Sequence, residues 1–139
     1  MTQAREPESA ALIEAAKLAR EFAIAPFSRF QVGAALRTEG GGTFSGCNIE
    51  NATYGLTVCA ERVALWKALS EGAHSFAEIA IITNTHDLTP PCGACRQLLW
   101  EFCGDIRVVL ANLEGRSETL TLGELFPRAF DVKNLGDKR

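Results

Sequence analysis

Two cysteine motifs set the tightest constraint on how this chain can fold. One is Cys59-Ala60-Glu61, and the other, a loop and a strand further on, is Pro91-Cys92-Gly93-Ala94-Cys95. Cys92 and Cys95 stand one helical turn apart, so both sulfurs can face one ion, and Cys59 can close a third position. The fold must then bring two distant segments together around one metal. Three cysteines hold zinc and leave its fourth position open, and Glu61 can move protons beside it. That is equipment for hydrolysis rather than for a structural staple. A closed four-cysteine site would have to recruit Cys47 or Cys103, whereas structural zinc usually comes from two Cys-x-x-Cys pairs and this chain has one.

Five cysteines, an odd number that includes one Cys-x-x-Cys, favour metal binding in a reducing cytoplasm over a disulfide framework. Cys47 and Cys103 read as small buried apolar residues. The 139 residues are 47% hydrophobic, enough for the core of one domain spanning 1–139, with 1–7 and 131–139 expected to be loosely ordered. A net charge of −3 argues against a nucleic-acid partner, which usually calls for a basic face. No apolar run approaches the roughly 18 residues of a membrane span, and residues 1–7 lack the apolar core of a secretory signal.

Hydrophobic periodicity predicts a helix over 10–23, stopped by Pro26. Residues 30–37 alternate, with Phe30, Val32, Ala34 and Leu36 on one face, and read as a half-buried strand. Residues 39–42 form a turn, and 43–47 return as the second arm of a hairpin. A polar loop over 48–55 leads to a helix over 59–70. A continuous apolar run over 78–83 reads as a central strand. A helix over 93–102, a buried strand over 106–111 and a short strand over 119–122 follow; residues 120–126 could equally open a short helix. The order implies an α/β fold, one mixed sheet of five strands with helices on its faces and parallel neighbours in its middle section. Both cysteine motifs fall at helix starts, where the helix dipole favours thiolate. Three thiolates on a divalent ion leave a net negative charge that would weaken the metal's acidity. Arg62, and less so Arg96, is placed to offset it.

The motifs together resemble the small zinc-dependent cytidine deaminases of the three-cysteine type. The resemblance runs from Pro26-Phe27-Ser28-Arg29-Phe30-Gln31-Val32-Gly33-Ala34-Ala35 through Gly46-Cys47-Asn48-Ile49-Glu50-Asn51-Ala52-Thr53-Tyr54-Gly55. It continues through Cys59-Ala60-Glu61-Arg62 and Pro91-Cys92-Gly93-Ala94-Cys95-Arg96-Gln97 to Ala129-Phe130. It implies a three-layer α-β-α domain, one Zn2+ per chain on Cys59, Cys92 and Cys95, and Glu61 as proton shuttle. The reaction it implies is deamination of cytidine and 2'-deoxycytidine with release of ammonia, a step of pyrimidine salvage in the cytoplasm. Asn48 and Glu50 would hold the ribose 3'-hydroxyl, Phe30 would line the nucleoside pocket, and the Ala60 backbone would contact the base. The family resemblance also implies a homotetramer with shared active sites, with Phe130 stacking on the base from a neighbouring chain and Tyr54 in the same intersubunit region.

Some readings stay open at this level. Phe30 fits plain core packing as well as a pocket. A deaminase of a modified cytosine nucleoside or of a cytosine-bearing antibiotic would carry the same zinc motifs. A polynucleotide editor acting on a flipped base should be longer and more basic, and a non-enzymatic zinc module would leave Glu61 without a duty. One departure is visible: Phe27 stands where the family usually has tyrosine, so one hydroxyl is missing.

Overall fold

The computed structural model describes residues 7–136. Its first helix, α1 (Pro7–Arg20), opens on a proline, which suits the first helical position because the amide it lacks would have no helical partner there. Leu12, Ile13 and Ala16 form its buried stripe. The helix lies upstream of the expected 10–23. After Arg20 the chain breaks into tight turns, Phe22 N–H to Ala19 and Ala23 N–H to Arg20, and Phe22 stays 76% exposed, with no core to hold it in a helix.

β1 (Val32–Thr38) and β2 (Thr43–Cys47) make the expected antiparallel hairpin. Next come α2 (Ala60–Ser70), β3 (Phe76–Thr83), α3 (Gly93–Cys103), β4 (Arg107–Asn112), β5 (Ser117–Thr121) and α4 (Leu122–Leu125). The strands form one five-stranded sheet in the order β2-β1-β3-β4-β5. β3 and β4 are parallel and α3 connects them; the other neighbouring pairs are antiparallel. β1 lies between β2 and β3, so the strands joined by α2 are not neighbours. The ambiguous 119–126 stretch holds both elements in succession. Thr121 Oγ1 accepts from the Glu124 amide and Glu124 Oε1 accepts from the Thr121 amide, a reciprocal cap that stops the strand and starts the turn of helix.

Two apolar layers flank the sheet. Ala34, Leu36, Ile79, Ile81, Val108 and Leu110 pack on one face with Leu65 of α2 and Leu99 of α3. Ala35, Ala80, Ile82, Val109 and Ala111 pack on the other with Leu12, Ile13 and Ala16 of α1. The architecture is therefore α-β-α, and β1 is covered on both faces rather than half-buried. Small residues make that possible. A Cβ on Gly33 would stand 2.0 Å from the Ala16 carbonyl oxygen, so α1 rests directly on β1. A Cβ on Gly46 would stand 2.7 Å from the Ala64 nitrogen and 2.8 Å from the Ala60 oxygen, so the first turn of α2 rests on β2 in the same way. Those close approaches fix where α2 begins, and with it Cys59.

The apolar run of β3 hides one charge. Glu78 is fully buried, and its carboxylate accepts from Ser9 Oγ at 2.7 Å, Arg37 Nη2 at 3.1 Å and Arg107 Nε at 3.0 Å. These partners satisfy a carboxylate that would otherwise be costly to bury. Of the ends expected to be loosely ordered, 1–6 and 137–139 lie outside the described residues. Within them, Asp131 caps a single 3-10 turn, Val132–Leu135, and Trp100 Nε1 donates to its carboxylate at 3.1 Å. No helix of the described residues is long and apolar enough to cross a membrane.

Candidate metal centre and active-site cleft

The two helix starts meet. Cys59 is the N-cap of α2, Cys92 is the N-cap of α3, and Cys95 lies in the first turn of α3. Neither cap's side chain accepts from a backbone amide of its helix, so the sulfurs are free to turn to a common point. The three sulfurs lie within 4.8 Å of one another, with Cys59 to Cys92 at 3.9 Å and Cys92 to Cys95 at 3.4 Å. Tetrahedral zinc with bonds of about 2.3 Å spaces its sulfurs about 3.8 Å apart, so the donor set and its spacing fit zinc. Cys47 and Cys103 are not part of the cluster.

The electrostatics favour thiolate at Cys59. The Cys95 thiol, and after it the Arg62 guanidinium, hold the Cys59 thiol down to about 5 against the opposing effect of burial. Cys95 moves the other way because it keeps the proton the pair shares and is itself buried. Arg62 Nη2 lies 3.5 Å from Cys59 Sγ, and the guanidinium also sits over the Trp66 ring, 5.9 Å from its centroid. Arg96, the other candidate for that duty, turns away from the sulfurs. Its Nε donates to the Pro91 carbonyl at 2.8 Å and its Nη1 to the Leu125 carbonyl at 2.7 Å, tying the loop before Cys92 to α4. Glu61 is 4% exposed at the start of α2, and burial raises its carboxyl to about 7.

A cleft of about 290 Å³ opens over this centre. Cys59, Cys92, Ala60 and Glu61 line it, as do Phe30, Asn48 and Glu50. Phe30 is 38% exposed and turned to the cleft rather than packed in the core. Asn48 is locked in place: its Oδ1 accepts from the Val32 amide at 2.9 Å and its Nδ2 donates to the Phe30 carbonyl at 2.7 Å. Glu50 Oε1 accepts from the Phe27 amide at 2.9 Å and the Ser28 amide at 3.0 Å, and its Oε2 accepts from the Ser28 hydroxyl. Those bonds, the Ser28 hydroxyl foremost, hold the Glu50 carboxyl below its usual range. Asn48 and Glu50 thus organise the 27–32 loop and present carboxylate and amide oxygens at the cleft wall.

Tyr54 and Phe130 do not line the cleft of their own chain. Tyr54 is 73% exposed and packs edge-on against Phe27, with ring centroids 5.4 Å apart. Phe130 is 55% exposed, and its carbonyl accepts from Gln97 Nε2 at 2.8 Å. Sequence reasoning passed over Ser28, Thr83 and Thr89, which also line the cleft. Thr89 sits close before Cys92, a signal that was available; Thr83 ends an apolar strand and gave none.

Residues 6–112 match the family model for the cytidine and deoxycytidylate deaminase zinc-binding region. The cytidine deaminase of Halalkalibacterium halodurans is 51% identical over 127 residues, covering 91% of this chain and 96% of that protein. The crystal structure of cytidine deaminase from Burkholderia pseudomallei superposes with a TM-score of 0.84 at 52% identity, covering 87% of this chain and 98% of that one. More distantly, blasticidin-S deaminase of Bacillus cereus is 32% identical over 108 residues, 72% of this chain and 76% of that protein.

Proposed function

This chain belongs to the cytidine and deoxycytidylate deaminase zinc-binding family, and from that premise we propose that it hydrolyses cytidine and 2'-deoxycytidine to the uracil nucleosides and ammonia. The observation that carries the reading is the placement of Glu61, a buried carboxylate beside three converging cysteine sulfurs at the base of a nucleoside-sized cleft. Cys59, Cys92 and Cys95 would hold zinc, which when bound supplies Lewis-acid activation of the attacking water.

Glu61 carries the protons. It takes one from the water that adds to C4 of the base and delivers it to N3, then takes the second from the new C4 hydroxyl and passes it to the amino group, which leaves as ammonia as the C4–N bond breaks and the C4 carbonyl forms. A carboxyl held near neutrality by burial is suited to both duties. Arg62 offsets the charge of the sulfurs at Cys59. Asn48 and Glu50 receive the ribose 3'-hydroxyl, Phe30 walls the nucleoside, and the backbone at Ala60 meets the base. The described residues act as one catalytic domain.

The exposed aromatic rings of Tyr54 and Phe130, both outside the cleft, support an assembly in which neighbouring chains complete each other's sites. We assign that assembly as a homotetramer, with Phe130 lent to a neighbour's base and Tyr54 in the same interface. Free cysteines throughout support a reducing cytoplasm as its compartment, and membership of the family supports pyrimidine salvage as the role.

A second reading is deamination of a cytosine-bearing antibiotic, in line with the Bacillus cereus relative. Asn48 and Glu50, set at the cleft wall, favour a plain nucleoside. The deciding experiment follows ammonia release from cytidine by zinc-quantified protein, with Glu61→Gln as control. Turnover by the wild type, reduced about 10²–10⁴-fold in a zinc-loaded Glu61→Gln, is expected. Absence of wild-type turnover on cytidine and deoxycytidine, with turnover on an antibiotic, overturns the nucleoside reading.

A further inference from the structure

Three hydroxyls cluster beside the metal centre, and their protons can be counted. Thr85 Oγ1 lies 2.6 Å from the Asp87 carbonyl oxygen, which can only accept, so the Thr85 proton is spent there. Thr83 Oγ1 lies 2.7 Å from Thr85 Oγ1, so in that bond Thr83 is the donor. Each hydroxyl carries one proton. Thr83 therefore has none left, and what it can offer the cleft is lone pairs. Thr89 Oγ1 is a second and more distant acceptor for the same proton, at 3.3 Å against 2.7 Å for Thr85, and on either partner the proton stays within the hydroxyl cluster. Thr83 is 1% exposed and anchored at the end of β3, between Val32 and Asn112, so its position is fixed.

Thr83 lines the same cleft as Glu61, Cys59 and Cys92. Ile79, Ile81 and Thr83 alternate onto one face of β3, the face that packs under α2 and α3, where the cysteines are presented. A fixed oxygen that accepts and does not donate selects its ligand by chemistry. Cytosine carries one hydrogen-bond donor on its ring system, the exocyclic 4-amino group; N3 and O2 both accept. Uracil carries a carbonyl oxygen at the same position, which would meet the Thr83 lone pairs head-on.

We propose that Thr83 is a specificity-determining residue that accepts a hydrogen bond from the 4-amino group of the substrate and disfavours the 4-oxo group of the product. Thr85, fixed by the Asp87 carbonyl, is the positioning residue that keeps the Thr83 proton turned away from the cleft. The inference rests on the nucleoside reading above and adds to it a reason for the enzyme to release its own product. Substrate and product differ at C4, amino against oxo, and at N3, acceptor against N–H donor; at C4 the relay Thr83 to Thr85 to Asp87 gives the two opposite signs of interaction.

The test compares Thr83→Val, which keeps the shape and removes the oxygen, with Thr83→Ser, which keeps the hydroxyl. For each zinc-loaded protein, kcat and KM for cytidine and the inhibition constant of uridine are measured. Thr83→Val should lower kcat/KM for cytidine and strengthen uridine inhibition, so that the ratio of the uridine constant to the cytidine KM falls about tenfold, the worth of one net hydrogen bond. Thr83→Ser should restore the ratio. Thr85→Val, which frees the Thr83 proton to turn into the cleft, should move the ratio in the same direction by less. A ratio unchanged in Thr83→Val, or both constants weakening by the same factor, shows that Thr83 only packs and overturns the proposal. Wild-type protein inert on cytidine defeats the functional reading itself, a result separate from any behaviour of the variants.

Discussion

The guanidinium of Arg62 stands 3.5 Å from the Cys59 sulfur, so the helix that presents the thiolate also carries the charge that balances it. The two residues are the N-cap and the third residue of α2, close enough to meet over the first turn. Trp66, one turn further on, holds the guanidinium from the other side. The arrangement places positive charge on a ligand sulfur rather than in the cleft, where it would compete with the substrate.

Arg62→Gln should therefore fold and bind zinc about 10–100-fold more weakly, the usual cost of losing a group that supports a metal ligand. Arg62→Lys should recover part of the affinity, since it keeps the charge and loses the planar donor. Competition against a chelator of known affinity measures this. Zinc binding equal to wild type in Arg62→Gln would sink the assignment.

Cys92 opens α3 and contributes one of three sulfurs, so Cys92→Ala should lose its stoichiometric zinc and its turnover together. Chelation of the wild type should lower its melting temperature, because the metal would tie the starts of α2 and α3. Cys47→Ala, outside the cluster, should keep zinc and activity. Metal analysis of the purified proteins, paired with thermal melts, reads all three; full zinc in Cys92→Ala would mean that another residue serves as ligand.

Gly33 admits no side chain because α1 lies against it, with the Ala16 oxygen 2.0 Å from where a Cβ would be. Gly33→Ala should destabilise by about 1–3 kcal/mol or more, as α1 is pushed off the sheet. Gly55, with nothing within 4 Å of its Cβ position, is the control, and Gly55→Ala should stay within about 0.5 kcal/mol of wild type. Denaturant titration of the zinc-loaded proteins decides; equal losses in both would mean that the α1 contact yields easily.

Burial pushes the Cys103 thiol up to about 12. Folded protein should thus hold Cys103 as an unreactive thiol at pH 8, alkylated only after denaturation. The sign for stability follows from linkage: a group whose pKa is raised by folding favours the native state fully below its unfolded value, near 8.5 in order of magnitude, and loses that contribution as pH climbs toward 12. Mass spectrometry after timed alkylation checks the first statement. Modification of Cys103 at the rate of a free thiol would show that the α3 end opens to solvent.

Much of the site was legible because its residues are close in sequence to helix starts. Cys59, Glu61, Cys92 and Cys95 could be placed by spacing and by helical geometry, and the α-β-α architecture by alternating element types. Arg62 follows from the same local geometry. The strand order was less legible. Nothing local to residues 32–38 says that β1 inserts between β2 and β3, so its small residues Gly33 and Ala35 read as an outward face when they are the seat of α1. Arg96 stood in sequence as a lesser candidate beside Arg62, and the carbonyls it serves belong to residues 91 and 125, a pairing that exists once α4 has folded back over α3.

By itself, then, the sequence determined the donor atoms, their pairing with a proton-carrying glutamate, and the kind of layered fold that can deliver two helix starts to one point. Those are consequences of residue type and of short-range periodicity, which the chain carries locally. The tertiary structure alone decided which surfaces face the cleft, that Asn48 and Glu50 are fixed by the 27–32 loop, and that the Thr83 hydroxyl has spent its proton. The Thr83–Thr85–Asp87 bonds join near neighbours in sequence, and only their place at the cleft depends on the fold; the others depend on groups far apart in the chain meeting in space. Such meetings are set by the packing of layers rather than by any neighbouring residue.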